Sequence, residues 1–206
     1  MKKFKQIFFT CLLFTLAFSC STDDSSDDSD PEKFDGSTKA LEDFFSPELV
    51  TSLKNLGFVI NEGANPPNIE GTYFSSPFIL QGTTVPGESI GKSFADYTST
   101  FSNQDNNELT IDFNGSGGSQ VDVGYGSFVA GNDNNFSVYL KNTTQIGTYT
   151  AETAFAISGI ITETGIKNYQ FALMMLDDKG DIESVYIENN TGRLIHDSDY
   201  FSEKIE

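Results

Sequence analysis

From Phe58 onward, apolar and polar residues alternate with a period of two. Leu109, Ile111 and Phe113 alternate with Thr110 and Asp112; Val121, Val123 and Tyr125 with Asp122 and Gly124; Phe136, Val138 and Leu140 with Ser137 and Tyr139. A period of two sends successive side chains to opposite faces, so each run predicts a strand with one face on a core and one toward water. Phe155, Ile157 and Ile161 continue the series, followed by Tyr169, Phe171, Leu173 and Met175. The last run is apolar on its second face as well, at Ala172, Met174 and Leu176, which requires a cover. Short clusters such as Gly131-Asn132-Asp133-Asn134-Asn135, Thr164-Gly165 and Asp178-Lys179-Gly180 separate the runs. Asn, Asp and Gly accept positive φ at low cost, so these clusters predict hairpins and consecutive hairpins make a meander. Runs at 69–80, 93–103, 107–114, 120–130, 135–141, 153–163, 167–177 and 182–195 predict a mainly β domain of about eight antiparallel strands, enough to close a barrel. The competing architecture is a β-sandwich, whose crossings need longer connections; only 81–92 is of that kind.

Upstream of the strands the period is that of a helix. Leu49, Leu53 and Leu56, with Val50, share one face at spacings of three and four. Ser46 suits a cap, Pro47 the first helical position, Glu48 the positive end and Gly57 a left-handed stop. These signals predict a helix over 47–56, within a segment 39–57 that packs on the 58–206 barrel domain and covers the second apolar face.

Asn65-Pro66-Pro67-Asn68-Ile69-Glu70-Gly71-Thr72-Tyr73 is a Pro-rich entry followed by Ile-x-Gly-x-Tyr. It resembles the opening strand of lipocalin-like barrels. The stretch from Ser158-Gly159 through Gly165-Ile166-Lys167-Asn168-Tyr169 to Gly192-Arg193 is similar to Bacteroidota lipoproteins of that shape. The resemblance covers residues 65–197 loosely and implies a lipocalin-like barrel. Tyr73 stands where lipocalins usually carry Trp, and their disulfides have no counterpart, so no ligand-binding residue is carried over.

The first residues carry a different message. Lys2, Lys3 and Lys5 precede an apolar run from Ile7 to Phe18, the n-region and h-region of a secretory signal over 1–19. As a helix the run rises about 18 Å, short of the ~30 Å hydrocarbon core. Leu16-Ala17-Phe18-Ser19-Cys20 resembles a bacterial lipobox, which implies cleavage between Ser19 and Cys20 and acylation of Cys20. Several acyl chains anchor stably, since each buried CH₂ contributes ~0.8 kcal/mol. Ser21-Thr22-Asp23-Asp24 resembles the acidic export signal of Bacteroidota surface lipoproteins, implying an outer-membrane anchor facing the exterior. Residues 21–35 hold seven acids and four Ser, too little apolar surface to offset chain entropy, so residues 20–38 are expected to be a disordered tether.

Charge and composition narrow the chemistry. With 30 acidic against 12 basic side chains and a formal charge of −18, the chain lacks the basic stripe by which nucleic acid is bound. It has no Trp, one His and two Cys, of which Cys11 leaves with the signal and Cys20 is lipidated. A zinc site, a His-based triad and thiol chemistry are therefore not expected, and neither is a cofactor. His196 is expected at the surface near the last strand. Calcium is the least implausible ion. Asp177, Asp178, Asp181 and Glu183 cluster in sequence, as do Asp197, Asp199 and Glu203, but neither set matches the twelve-residue calcium loop, and solvated turn acids are the favoured reading. Tyr73, Tyr97, Tyr125, Tyr139 and Tyr169 can line a cavity or pack, with packing favoured.

These readings lead to a lipid-anchored, non-catalytic binding or accessory module of the cell envelope. Its expected partners are the membrane, through the acyl chains, and a small apolar molecule, a glycan or a protein. A carboxylate-dependent hydrolase and an adhesive surface protein are the alternatives.

Overall fold

A computed structural model describes residues 33–181 and 183–205; the side chains of Tyr125 and Gly126 lie outside that description. The signal, the cleavage and lipidation positions Ser19 and Cys20, and Ser21, Thr22, Asp23 and Asp24 lie outside the described residues. Among the described residues no helix is long and apolar enough to cross a membrane.

Among the described residues two helices form where one was expected. Helix α1 (Thr38–Phe45) starts at Ser37, whose Oγ accepts from the Ala40 N–H at 3.1 Å. Helix α2 (Pro47–Leu56) starts at Ser46, whose Oγ accepts from the Leu49 N–H, and stops at Gly57 in the left-handed conformation, φ +94°. The break lies at Ser46, φ +121° and ψ +153°. A residue before proline is sterically pushed out of the helical region, so Pro47 both ends one helix and opens the next. Packed chain begins earlier than the expected tether boundary. Phe34 is buried and stacks on Phe128 at 4.5 Å between ring centroids.

Among the described residues the strands form a single antiparallel sheet of eleven. The strands are β1 (Gly71–Ser75), β2 (Phe78–Thr83), β3 (Ser93–Phe94), β4 (Tyr97–Asp105), β5 (Thr110–Gly117) and β6 (Gln120–Asn132). They continue as β7 (Asn135–Ile146), β8 (Tyr149–Ile161), β9 (Gly165–Asp177), β10 (Gly192–Asp197) and β11 (Phe201–Lys204). β4 through β10 follow one another as a meander. The expected run 69–80 is two strands parted at the cis Ser76–Pro77 bond, with β1 pairing β4 and β11 and β2 pairing β10 and β3. The expected run 182–195 shrinks to β10, and β11 is an addition. β11 pairs β1 and also β9, through Phe201↔Lys167 and Ser202↔Ile166. The sheet thus returns on itself in a partial ring, one continuous hydrogen-bonded surface rather than the two sheets of a sandwich.

The inner face is filled over most of its length, with one cavity of about 150 Å³ beside Phe78 and Phe171. Tyr73, Phe101, Phe113, Phe136, Phe155 and Tyr169 are fully buried there with Leu80, Val138 and Ile157. Phe155 packs on Phe171 at 4.7 Å and on Phe113 at 6.3 Å between ring centroids. Their phenols find partners, as burial demands. Tyr73 donates to Ile69 O at 3.0 Å, and Tyr169 shares a hydrogen bond with Ser99 at 2.7 Å. Tyr73, Tyr97 and Tyr169 therefore pack in this core, and Tyr139 packs beneath α1, 5.9 Å from Phe45.

The outer face of β7 to β10 changes character along its length. Its apolar part, with Ala154, Ala156, Ala172, Met174 and Leu194, is covered by Leu41 and Phe45 of α1 and Val50, Leu53 and Leu56 of α2. The paired small residues Ala156 and Ala172 let the helices approach the sheet closely. This is the cover that the doubly apolar run at 169–176 required.

Candidate functional site

Beyond the helices the same outer face turns polar. Ser137 pairs Ser158, Ser158 pairs Gln170 and Gln170 pairs His196 across β7, β8, β9 and β10. Directly opposed residues share a face, so these four side chains stand in one row. All four are buried. The strap of residues 57–61 hydrogen-bonds to two of them, Gln170 and Ser137. Gln170 is its anchor. Its Oε1 accepts from the Val59 N–H at 2.9 Å and from Ser158 Oγ at 3.3 Å, and its Nε2 donates to Gly57 O and to Gln81 Oε1, both at 3.2 Å. Farther along, Asn61 Nδ2 donates to Phe136 O at 2.7 Å and the Asn61 N–H donates to Ser137 Oγ at 2.9 Å. The strap continues past Gly63, φ +129°, where a Cβ would stand 1.9 Å from the Asn132 amide.

Strap, sheet and the turn between β10 and β11 enclose a cavity of about 280 Å³. Val59 and Asn61 line it from the strap, and Ser158, Ile160, Asn168 and Gln170 from β8 and β9. Gln81, Asn135 and Tyr200 complete the rim. Tyr200 is half-exposed at 51% and lies parallel to the His196 ring, 4.5 Å away and inclined by 18°. His196 is only 8% exposed, not the surface residue expected. It is the outward member of β10, and the Tyr200 ring covers it. Its Nδ1 lies 2.6 Å from Asp197 O; a carbonyl oxygen only accepts, so Nδ1 carries the proton and the ring orientation is set. Two rim residues are held in left-handed backbone, Asn168 at φ +51° and Tyr200 at φ +62°, and the Asn168 N–H donates to Tyr200 O at 2.7 Å. For a bulky aromatic residue that conformation is costly and is retained only where surroundings impose it.

Asp197 lies beside this turn, 2% exposed, with Oδ2 accepting from the Ser76 N–H at 3.1 Å and Oδ1 without a partner. Burial pushes its pKa up to about 6, and the neighbouring Asp199 carboxylate adds to the rise. A raised carboxyl pKa means that the folded state holds its proton more tightly than the unfolded chain. Stability therefore falls as pH rises from the ordinary value of 3.8 through about 6. Asp197→Asn is expected to be more stable than the parent by about 1 kcal/mol at pH 8, allowing for solvent screening, and no more stable at pH 4. Thermal melts across that range check this, and a pH-independent difference would contradict it.

A smaller cavity of about 150 Å³ is lined by Phe78, Phe94, Tyr97, Phe171 and Arg193. Arg193 donates to Glu88 through Nε at 3.0 Å and Nη2 at 2.7 Å and lies over the Phe94 ring. Burial raises the Glu88 pKa, but hydrogen bonds from Arg193 and Lys92 outweigh it and hold the group down to about 2. Inward of Tyr97 sits the fully buried Asp122. It accepts from Tyr97 OH and Gln120 Nε2 at 2.7 Å each and from Thr144 Oγ1 at 2.8 Å. Burial pushes the Asp122 pKa up, and these hydrogen bonds offset part of the rise.

Of the two acidic clusters of the sequence, the first shares an open cleft of about 420 Å³ lined by Asp178, Asp181 and Glu183 with Lys179 and Tyr186, and in the second Asp199 neighbours Asp197. Asp177 pairs with Lys179 at 3.1 Å, Asp178 Oδ1 accepts from the Gly180 N–H and Asp181 Oδ2 from the Tyr186 N–H. Asp199 Oδ1 accepts from the Phe201 N–H, while Glu203 lies on β11 paired with Phe74. Among the described residues no group of three or more His, Cys, Asp or Glu is arranged to hold a metal ion. The groove residues Asn61, Gln81, Asn168, Gln170 and Tyr200 were not singled out from the sequence. The available signal was Gln170, a lone amide inside the apolar run from Tyr169 to Leu176, with Ser158 as its counterpart in the run from Phe155 to Ile161. Comparison of the chain with protein-family models, with curated proteins and with solved structures finds no match.

Proposed function

We propose that this chain is a binding module of the cell envelope, anchored through acyl chains on Cys20, and that the groove beneath the 57–61 strap is its ligand site. One observation carries the reading. The interior of the partial ring is largely filled by aromatic and aliphatic side chains, with about 150 Å³ left beside Phe78 and Phe171, whereas the groove of about 280 Å³ on the outer face is open, its surface mostly apolar and set with five amides, the Ser158 hydroxyl and the Tyr200 phenol. Such side chains hold and orient a ligand by hydrogen bonds but supply neither a strong base nor an activated nucleophile. The hydrolase alternative needs two carboxylates facing one cleft. Asp178, Asp181 and Glu183 do share one cleft, but none of them is buried and Asp178 and Asp181 accept from the Gly180 and Tyr186 N–H groups, while the buried Asp122 and Asp197 have separate partners, which favours binding. The anchor rests on the lipobox-like Leu16-Ala17-Phe18-Ser19-Cys20, and the exterior-facing placement on Ser21-Thr22-Asp23-Asp24.

Native mass spectrometry of the full chain, extracted by detergent from the membranes of a bacterium that processes lipoproteins, tests both halves. The expected outcome is an N-terminus at acylated Cys20 and a small molecule released on activation, with Cys20→Ser found in the soluble fraction. An uncut leader or an unmodified thiol would overturn the anchor. A protein that carries no adduct and binds nothing added to it would overturn the module.

A further inference from the structure

We infer that the groove takes a neutral saccharide, one ring of which lies against Tyr200 while its hydroxyls meet the surrounding amides; this rests on the reading of the groove as a ligand site. None of the side chains that line the groove is a Lys, Arg, His, Asp or Glu. An anionic ligand would find no cation there and would approach a chain of net charge −18; a cationic ligand would find no carboxylate in the lining. The ligand is therefore neutral.

An apolar ligand is disfavoured for a different reason. Among the described residues, no hydrogen bond engages the side-chain amides of Asn135 and Asn168 or the phenol of Tyr200, which leaves these groups to solvent water or to a ligand. Covering these groups with hydrocarbon would strip that water without replacing its hydrogen bonds. An amide offers two donors and two lone pairs, and a hydroxyl both donates and accepts, so vicinal hydroxyls and carboxamides match group for group. Shape supplies the last step. The Tyr200 ring is half-exposed at the rim and backed by His196, 4.5 Å behind it. One ring face is taken by His196, and the other is available to the C–H face of a pyranose. A cavity of about 280 Å³ lies at the small end of ligand pockets, fitting a terminal mono- or disaccharide unit better than a chain laid along a surface.

The left-handed backbone at Asn168 and Tyr200 separates a ligand role from a structural one. Glycine accepts that backbone without strain, so Asn168→Gly and Tyr200→Gly each remove a ligand-facing group while suiting the local φ. The test is isothermal calorimetry and saturation-transfer NMR of the full chain with maltose, cellobiose, lactose and chitobiose. Adenosine and a blocked neutral tripeptide represent competing amide-matching classes. The expected result is binding of at least one disaccharide at about 1 mM or tighter, weakened about tenfold or more in Asn168→Gly and in Tyr200→Gly and retained in Tyr200→Phe. Asn168→Gly is expected to keep the parent's Tm, whereas Tyr200→Gly, which also uncovers His196, is expected to lower it modestly with the melt still cooperative. Should adenosine or the peptide bind with the same dependence on Tyr200 while no sugar does, the saccharide class falls and the groove remains a ligand site. Sugar binding indifferent to all three variants would place the saccharide elsewhere, and absence of binding by every probe would sink the groove as well.

Discussion

Phe155→Ala is expected to destabilise the protein by about 3–5 kcal/mol, the range for emptying a buried aromatic position. Phe155 is fully buried on β8, between Phe113 and Phe171, and these rings belong to a chain of aromatic contacts that runs through Phe78 and Tyr97 on one side and Phe101 and Phe136 on the other. Its neighbours are held by strands paired on both sides, so the sheet can collapse only partly into the gap and most of the lost contact stays lost. Urea titration checks this through the midpoint, with the slope unchanged if the fold is retained. A loss under about 1 kcal/mol would mean that the interior contains further open space, and the ligand site would then have to be sought inside the ring.

Asp122→Ala is expected to cost about 3 kcal/mol or more, for a different reason. The substitution opens little volume, but it leaves the Tyr97 phenol, the Gln120 amide and the Thr144 hydroxyl without their acceptor in a buried setting. Tyr97→Phe alone removes one donor of the three and is expected to cost about 1–2 kcal/mol. Because both residues lose the same hydrogen bond, the double variant should be less destabilised than the sum, by about 1 kcal/mol. The raised Asp122 pKa adds a pH signature. Its charged form is penalised in the folded state, so stability contributed by this residue declines as pH rises above the ordinary carboxylate range, and Asp122→Ala should flatten that dependence. Additive losses in the double variant would show that Tyr97 and Asp122 do not act on one another.

Much of the architecture was legible because local signals agreed. β4 through β9 correspond to expected runs, most of them of period two; the clusters at 131–135 and 164–165 became turns, whereas the turn at 147–148 between β7 and β8 had no such cluster and the two strands reach farther toward it than the runs 135–141 and 153–163. α2 was marked at both ends, by Ser46-Pro47 and by Gly57. Pro77 sat inside the run 69–80 and was itself a reason to divide it, since proline lacks a ladder donor. α1 was missed because its eight residues carry only a narrow apolar face, Leu41 and Phe45, that is stabilised by the sheet beneath it. The stretch 182–195 has residues that suit a strand, but only Gly192–Asp197 finds partners, in β9 and β2. Strand existence depends on what lies alongside, which periodicity does not report.

The chain by itself determined its class and its two faces. Alternation in β5 to β9 decides which side chains meet the core, and the second apolar face at Ala172 and Met174 demanded a cover, because the period of two follows from backbone geometry alone. Tertiary structure decided the rest. Register alone aligned Ser137, Ser158, Gln170 and His196, which are far apart in sequence, into one polar row. The return of β11 to β9 brought Tyr200 over His196 beside the strap. A groove made of residues from six separate segments exists only after every strand has chosen its neighbour, and those choices are set by long-range pairing and packing rather than by any local pattern.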